Sequence, residues 1–356
     1  MKKHLSLIHV SRAIVPLLVI LLHTSNFSSK YFDYNFLGMN SLPYSGGVDF
    51  FFVLSGFMIF YLFHKHIGNR SKLKSFLIGR FIRIYPFYWV ILTLIVPVYF
   101  FVPDFGQGWE TDSLVIVKSY LLIHQPHSPV LGVAWSLCHT VLFYFIFSFL
   151  FFSPRLSGVI VSIWLIVVVA NALFLIPHDS IWIDYLFSYT LIKFVLGCFL
   201  AFIVLNYRIQ YGKTMVIIGI IGFPLTWINH VNGFIDTHVS LGYTLFSCLV
   251  ILGLSSIDMK REIKIPKLLN YLGLASYSLY LINQPAISVL SKLFHKLELH
   301  LHIGPLASSI IMMLLAIIIG CMAFSFVERP LIQFIKRLGS KRSEKSPTSD
   351  SIATTT

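Results

Sequence analysis

The sequence predicts an all-α protein, a polytopic transmembrane helix bundle of about ten spans with both termini in the cytoplasm. Of its 356 residues, 56% are hydrophobic and only 12% are charged, whereas soluble domains have about 45–50% apolar and about 25% charged residues. The mean hydropathy is +0.80, and the apolar runs are continuous instead of alternating, which disfavours a transmembrane barrel. This composition excludes a soluble enzyme, a disordered protein and a coiled coil.

Ten apolar stretches are long enough to cross a bilayer, which takes about 20 residues in a helix. We expect one transmembrane domain over residues 1–337, followed by a disordered cytoplasmic tail over residues 338–356, which is polar and rich in Ser and Thr. Gly219, Gly222 and Pro224 make the seventh stretch the least regular. The predicted spans are residues 6–25, 47–64, 81–102, 130–152, 156–177, 183–205, 214–230, 239–257, 267–291 and 304–327.

The orientation follows from the basic residues. With a cytoplasmic N-terminus, 20 of the 27 Lys and Arg residues fall on the cytoplasmic side and only four lie in the opposite loops. This is a strong positive-inside bias, and it predicts a multi-pass protein of the cytoplasmic (inner) membrane. The net charge of +13 therefore faces anionic lipid and cytosolic anions, and no nucleic-acid partner is predicted.

Neither the cysteines nor the loop histidines indicate a metal site or a disulfide framework. The four cysteines all lie inside apolar runs, where packing is their ordinary role. No CxxC or zinc-ligand spacing occurs. Eight histidines in the predicted outer loops lack ligand spacing as well: His124, His127, His178, His230, His238, His295, His300 and His302.

Ionisable side chains inside a bilayer are costly, so each one is a candidate functional residue. The first span carries Arg12 near its cytoplasmic end and His23 near its outer end, about 16 Å apart along a helix. The alternative is that both side chains simply extend toward the headgroups. Lys193 lies in the middle of the sixth span and requires an acidic or carbonyl partner.

Arg80 and Arg83 stand at the cytoplasmic start of the third span and share one helical face at i, i+3. Two guanidiniums in this arrangement can hold phosphates bidentately, which suits a nucleotide or coenzyme A. The alternative is ordinary anchoring of a span on its cytoplasmic side.

Other polar residues in or at the spans are candidate substrate-contacting or supporting residues. Asp49 stands at the start of the second span in GGVDFFFVLSGF, where Gly46, Gly47 and Gly56 permit tight turns or close helix contact. The other candidates lie in the fourth, ninth and tenth spans: Trp135, Ser136 and His139; Tyr277, Ser278 and Asn283; and Glu328.

Six stretches from Arg12 to Pro330 together resemble the acyltransferase 3 family of integral membrane acyltransferases. In order they are RAIVPLLVILLH, GGVDFFFVLSGF, RFIRIYP, AWSL followed by FY, ASYSLYLINQP and FVERP. The resemblance implies a ten-span O-acyltransferase that moves an acyl group, usually acetyl, from cytoplasmic acyl-CoA to a hydroxyl of a cell-surface polysaccharide or its lipid-linked precursor. We expect no fused hydrolase-like domain, and the chain resembles the stand-alone exopolysaccharide and O-antigen acetyltransferases.

The family's motifs imply roles for individual residues. Its Arg-x10-His pair falls on Arg12 and His23, as catalytic residues, and its RxxR pair, associated with acyl-CoA, falls on Arg80 and Arg83. The chain departs from the family at Thr140, where Glu is common, and at Asn283, where His is frequent. If those positions carry protons in relatives, His139 is the nearest substitute here.

The chemistry leaves alternatives open. O-acylation needs a base for the sugar hydroxyl or a nucleophile that holds the acyl group, and His23 suits either role. Acetyl-CoA or another acyl-CoA is then a co-substrate, and no permanently bound cofactor is expected. The expected partners are the lipid bilayer, acyl-CoA and a glycan acceptor, with glycan-synthesis machinery as a further candidate. The competing functions are an exporter or flippase for a polysaccharide or acyl donor, and a non-catalytic member of a glycan-synthesis complex.

Overall fold

A computed structural model describes residues 5–173, 180–236 and 238–344, with side chains up to residue 338. His178 and residues 345–356 of the predicted tail lie outside the described residues. The described chain is helical throughout and contains no strand. Its α-helices are α1 Ser6–Ser11, α2 Ile14–Phe32, α3 Gly47–Phe63, α4 Leu73–Phe101, α5 Ser113–Leu121, α6 Trp135–Ser148, α7 Pro154–Ala172, α8 Ile181–Leu186, α9 Thr190–Asn206, α10 Gly212–Asn232, α11 Val239–Lys260, α12 Lys267–Lys296, α13 Leu299–His302, α14 Pro305–Ala323 and α15 Arg329–Glu344.

Nine helical stretches among the described residues are long and apolar enough to cross a membrane. They correspond to nine of the ten predicted spans, and the chain is a multi-pass membrane protein. The remaining predicted span corresponds to α12, which has 30 residues and packs against α2 and α14. Its polar stripe lowers its hydropathy, so a count of ten spans and the cytoplasmic position of both termini stay predictions.

Several helix boundaries differ from those predicted. The third span starts at Leu73 instead of residue 81, so Arg80 and Arg83 both lie well inside α4. The sixth predicted span consists of two helices, α8 and α9. At the C-terminal end, α15 continues through Glu344, seven residues into the segment predicted as a tail.

The first predicted span is broken at Arg12 and Ala13, between α1 and α2. Pro16 accounts for the break, because it has no N–H to donate to the Arg12 carbonyl four residues earlier and its ring crowds that carbonyl. Proline is tolerated in a first turn, so α2 restarts at Ile14 with Pro16 as its third residue. The break places Arg12 at a junction and not within a regular helix.

Close helix contact holds α3 against α9. A Cβ atom added at Gly56 would collide with the backbone of Phe194, and one added at Gly197 would collide with the backbone of Val53. Small residues at such a crossing let two helices approach closely, as membrane helices require. The predicted role of Gly56 in close contact is confirmed, and Gly46 adopts the left-handed conformation (φ 77°) just before α3.

The N-terminus of α1 is fixed by a carboxylate of α11. The backbone N–H groups of Leu7 and Ile8 donate to Asp258, at distances of 2.9 to 3.1 Å. Unsatisfied N–H groups and the helix dipole both favour an anion at a helix N-terminus. This anchor holds α1, which is followed directly by Arg12. Helix α1 also contacts α12.

Candidate functional site

A cavity of about 370 Å³ lies among α2, α3, α4, α6 and α12, and α15 completes its wall. Its apolar lining includes Phe51, Leu54 and Met58 of α3. Four of its polar side chains are cationic, and none of the described lining residues carries a carboxylate. The polar lining residues are Arg12, Ser55, Arg80, Arg83, Thr140, Tyr144, Ser276, Tyr277, Tyr280 and Lys336.

Arg83 is positioned by Glu328. One guanidinium nitrogen of Arg83 donates to Glu328 Oε1 at 3.0 Å, and Ser278 Oγ donates to Glu328 Oε2 at 2.6 Å. The Glu328 side chain is fully buried, whereas the Arg83 side chain is 30% exposed. Because a guanidinium has five N–H donors, Arg83 keeps donors for a ligand in the cavity.

A five-residue π-helical turn, Phe324–Glu328, joins α14 to α15 and ends on Glu328. A π-helical turn accommodates an extra residue, so it changes the direction in which the following side chains point. Glu328 thereby meets both Arg83 of α4 and Ser278 of α12. The turn ties three helices together at the edge of the cavity.

Arg80 is surrounded by aromatic rings instead of carboxylates. Its guanidinium lies 5.5 Å from the ring centre of Phe63, 6.0 Å from that of Phe76 and 5.8 Å from that of Tyr144. The Arg80 Nε atom is buried and has no hydrogen-bond partner. Cation–π contacts hold the charge in place, and they leave its hydrogen-bonding capacity for a ligand.

Arg12 completes the cationic wall from the α1–α2 junction. Its guanidinium lies within electrostatic range of Arg83, Glu328 and Arg80. Three arginines therefore share one cavity, and among the described residues the carboxylate behind them is that of Glu328. Such an arrangement attracts an anionic ligand, because like charges in a confined site are relieved when an anion binds.

Two tyrosine hydroxyls along the cavity donate to backbone carbonyls. Tyr277 donates to the Ile84 carbonyl at 2.7 Å, and Tyr280 donates to the Val133 carbonyl at 2.9 Å. Tyr280 also exchanges a hydrogen bond of 2.8 Å with Ser136. The predicted candidate Ser136 thus supports Tyr280 and does not itself line the cavity.

His23 does not line this cavity. It is half-buried on α2, eleven residues after Arg12 in the sequence. Within the described chain it takes part in no hydrogen bond or ion pair. The structure brings Arg12, Arg80 and Arg83 together, but it leaves the other predicted catalytic residue apart from them.

His139 is also outside the cavity, in a separate aromatic cluster. Its Nδ1 lies 3.1 Å from the Trp135 carbonyl, and its ring centre is 5.1 Å from that of Tyr185. The ring of His124 is stacked on that of Tyr185, with the ring centres 4.3 Å apart. Burial lowers the pKa of His124, while nearby Asp184 acts in the opposite direction.

Lys193, which was predicted to need an acidic or carbonyl partner, pairs with Asp49. Lys193 Nζ donates to Asp49 Oδ1 at 2.5 Å and to Ser240 Oγ at 2.7 Å. Ser240 in turn donates to Asp49 Oδ1 at 2.6 Å. The requirement for an acidic partner is confirmed, and the contacts of Asp49 are those of a closed ion pair away from the cavity.

Asn283, at the position where the family often has His, is fully buried. Its Nδ2 donates to the Tyr280 carbonyl at 2.5 Å, and its Oδ1 is buried without a partner. Asn283 does not line the cavity, whereas Thr140, the other departure from the family pattern, does.

Five polar residues of the cavity were not among the predicted site residues: Ser55, Tyr144, Ser276, Tyr280 and Lys336. Tyr144 and Ser55 carry no charge and stand in apolar runs, so nothing in their pattern separates them from packing residues. Lys336 stands four residues after Ile332, and both line the cavity. That i, i+4 spacing places the two side chains on one helical face. It was the sequence feature from which the position of Lys336 beside Ile332 could have been predicted.

These features define a class of protein: a multi-pass membrane protein with a cationic cavity enclosed by its helices. The family model described as an acyltransferase domain matches residues 7–326, so the chain belongs to the acyltransferase 3 family. It is 27% identical over 307 residues to the exopolysaccharide production protein ExoZ of Rhizobium meliloti (strain 1021), covering 81% of this chain and 90% of that protein. No solved structure gave a significant match. The resemblance found in the six motifs is confirmed, and the protein is an enzyme that transfers acyl groups.

Proposed function

We propose that the protein is an O-acyltransferase of the cytoplasmic membrane that moves an acetyl group from cytoplasmic acetyl-CoA to a hydroxyl of an exopolysaccharide or its lipid-linked precursor. The family supports acyl transfer, and the name of the relative ExoZ supports exopolysaccharide as the acceptor class. The predicted orientation supports a donor that enters from the cytoplasm, because the basic residues concentrate on that side.

The observation that carries the proposal is the convergence of Arg12, Arg80, Arg83 and Lys336 on one cavity. Coenzyme A carries its charge on phosphates, and arginine forks match phosphate oxygens bidentately. The apolar lining of the same cavity suits the uncharged pantetheine arm and the acyl group. The phosphates would then lie on the arginines while the thioester extends between α3 and α12.

Acyl transfer forms a bond between the acceptor oxygen and the acyl carbon and breaks the carbon–sulfur bond of the thioester. The acceptor hydroxyl loses a proton, and the thiol of coenzyme A gains one. His23 is the proposed residue for the acceptor side, either as the base for the hydroxyl or as a nucleophile that carries the acyl group. Its lack of hydrogen bonds within the described chain leaves both ring nitrogens available.

The experiment follows label from acetyl-CoA to glycan with the purified, full-length protein in liposomes. His23→Ala should insert and fold normally, because no contact partner loses a hydrogen bond, and should lose at least about 10²–10⁴-fold in transfer rate. His23→Gln should be equally inactive if proton transfer matters. The matched control is His302→Ala, an exposed histidine at the end of α13, which should keep full activity.

Near-full activity of His23→Gln would contradict the proposed role of His23 and would favour His139 as the base. Movement of glycan across the membrane without transfer of label, by the wild-type protein, would contradict the enzyme proposal and would favour an exporter.

A further inference from the structure

The C-terminal helix α15 stands outside the part of the chain that the family model matches, which ends at residue 326. The preceding helix α14 has 19 residues, about 29 Å, which is already close to the thickness of the hydrocarbon core. Helix α15 therefore extends beyond the membrane core. It contacts α4, the helix of Arg80 and Arg83.

Two residues of α15, Ile332 and Lys336, line the cavity. Lys336 is exposed, so its ammonium group is hydrated and at the edge of the cavity. Arg337, the next residue, carries the same charge on the same helix but does not line the cavity. Of these two neighbouring cationic residues, Lys336 is the one that lines the cavity.

Lys336 lines the cavity from a different helix than Arg80 and Arg83. Its backbone lies eight residues after Glu328, the partner of Arg83, which corresponds to about 12 Å along a helix. Backbone positions this far apart can serve two separate phosphate groups of one ligand.

We propose that Lys336 binds the 3′-phosphate of coenzyme A while Arg80 and Arg83 bind its diphosphate; this inference rests on the proposed acyl-CoA donor. In coenzyme A the diphosphate lies between the pantetheine arm and the adenosine, and the 3′-phosphate lies at the adenosine end. A thioester directed into the apolar part of the cavity leaves the adenosine end at the mouth, where Lys336 stands. Helix α15 then makes the site specific for a donor that carries the additional phosphate.

The test measures binding of coenzyme A and of dephospho-coenzyme A, which lacks the 3′-phosphate, to full-length protein in nanodiscs by calorimetry at low ionic strength. Lys336→Ala should weaken binding of coenzyme A about two- to fivefold, the range for an exposed charge pair, and should leave dephospho-coenzyme A unchanged. Added salt should reduce the difference. The control Arg337→Ala should change neither affinity.

The variant Arg80→Ala distinguishes the role of Lys336 at the 3′-phosphate from the proposed use of an acyl-CoA donor. It should weaken both ligands, because both contain the diphosphate. If wild-type protein binds neither ligand, the acyl-CoA donor itself is wrong. If Arg80→Ala weakens both ligands while Lys336→Ala changes neither, or weakens both equally, the donor stands and the role of Lys336 at the 3′-phosphate is wrong.

Discussion

Two ion pairs in this protein have similar composition and different surroundings. Lys193 and Asp49 lie 2.5 Å apart, with side chains that are 9% and 4% exposed. Arg83 and Glu328 lie 3.0 Å apart, but the Arg83 side chain is 30% exposed while Glu328 is fully buried. The first pair is closed on all sides by α3, α9 and α11, and the second has one member facing a cavity.

The difference shows which buried charges are available for a ligand. In the closed pair, Ser240 satisfies both partners, and the Lys193 ammonium is further covered by the rings of Tyr189 and Phe52, at 5.2 and 5.9 Å. In the open pair, Glu328 orients Arg83 and leaves guanidinium donors unused. A closed pair can hold helices together, whereas an open pair can also bind an anion.

The largest expected effect concerns the stability that depends on the closed pair. Lys193→Met leaves the Asp49 carboxylate buried without its cation, so it should lower the free energy of unfolding by about 3–5 kcal/mol. Denaturant or thermal unfolding of the detergent-solubilised protein measures this loss. The paired variant Lys193→Met with Asp49→Leu should recover much of the stability, because no charge is left unpaired.

A small effect of Lys193→Met on unfolding would show that water reaches Asp49 and that the pair is not closed. If the stable variant with both Lys193→Met and Asp49→Leu no longer binds acetyl-CoA, the Lys193–Asp49 pair belongs to the donor site. The two ion pairs would then not differ in their availability to a ligand.

The next effect concerns the donor and should leave stability nearly unchanged. Arg80→Ala removes a guanidinium that has aromatic neighbours but no carboxylate partner, so no opposite charge is orphaned. Binding of acetyl-CoA should weaken by about 1.5–3 kcal/mol, the range for hydrogen bonds to charged groups. Arg80→Lys should restore only part of this, because lysine lacks the planar fork. Unaltered binding in Arg80→Ala would make this arginine a membrane anchor only.

The smallest effect concerns the aromatic surroundings of Arg80. Tyr144→Leu removes one of its three rings while keeping an apolar side chain, so acetyl-CoA binding should weaken by about 0.5–1 kcal/mol. Calorimetric titration with acetyl-CoA measures the change, and Tyr144→Phe, which retains the ring, is the matched control. Equal losses in both variants would assign the effect to the Tyr144 hydroxyl and not to the ring.

The helical architecture and part of the candidate site could be predicted from the sequence. Apolar run lengths predicted the helices, and residue chemistry alone singled out Arg12, Arg80 and Arg83, which do meet in one cavity. Pairings between distant positions were not predictable, because Asp49 and Lys193 are 144 residues apart and only the bundle brings them together. The π-helical turn that ends at Glu328 was also not predictable from the sequence, because one extra residue within five positions does not change the hydrophobic periodicity detectably.

His23 shows a different limit. Helix geometry predicted how far His23 lies from Arg12, but it could not show where the cavity ends. That depends on which side chains of α3, α6 and α12 fill the space above Arg12, and these positions are set by packing between helices.

We propose that the cationic cavity opens to the cytoplasm and binds the acyl-CoA donor. The most direct measurement uses Ser55→Cys, a substitution in the cavity wall, in a variant whose four native cysteines are replaced by Ala and whose transfer activity is retained. A membrane-impermeant thiol reagent should label this cysteine from the cytoplasmic side, acetyl-CoA should protect it, and Arg80→Ala should remove the protection. Labelling only from the outside, or labelling that acetyl-CoA leaves unchanged, would contradict the account.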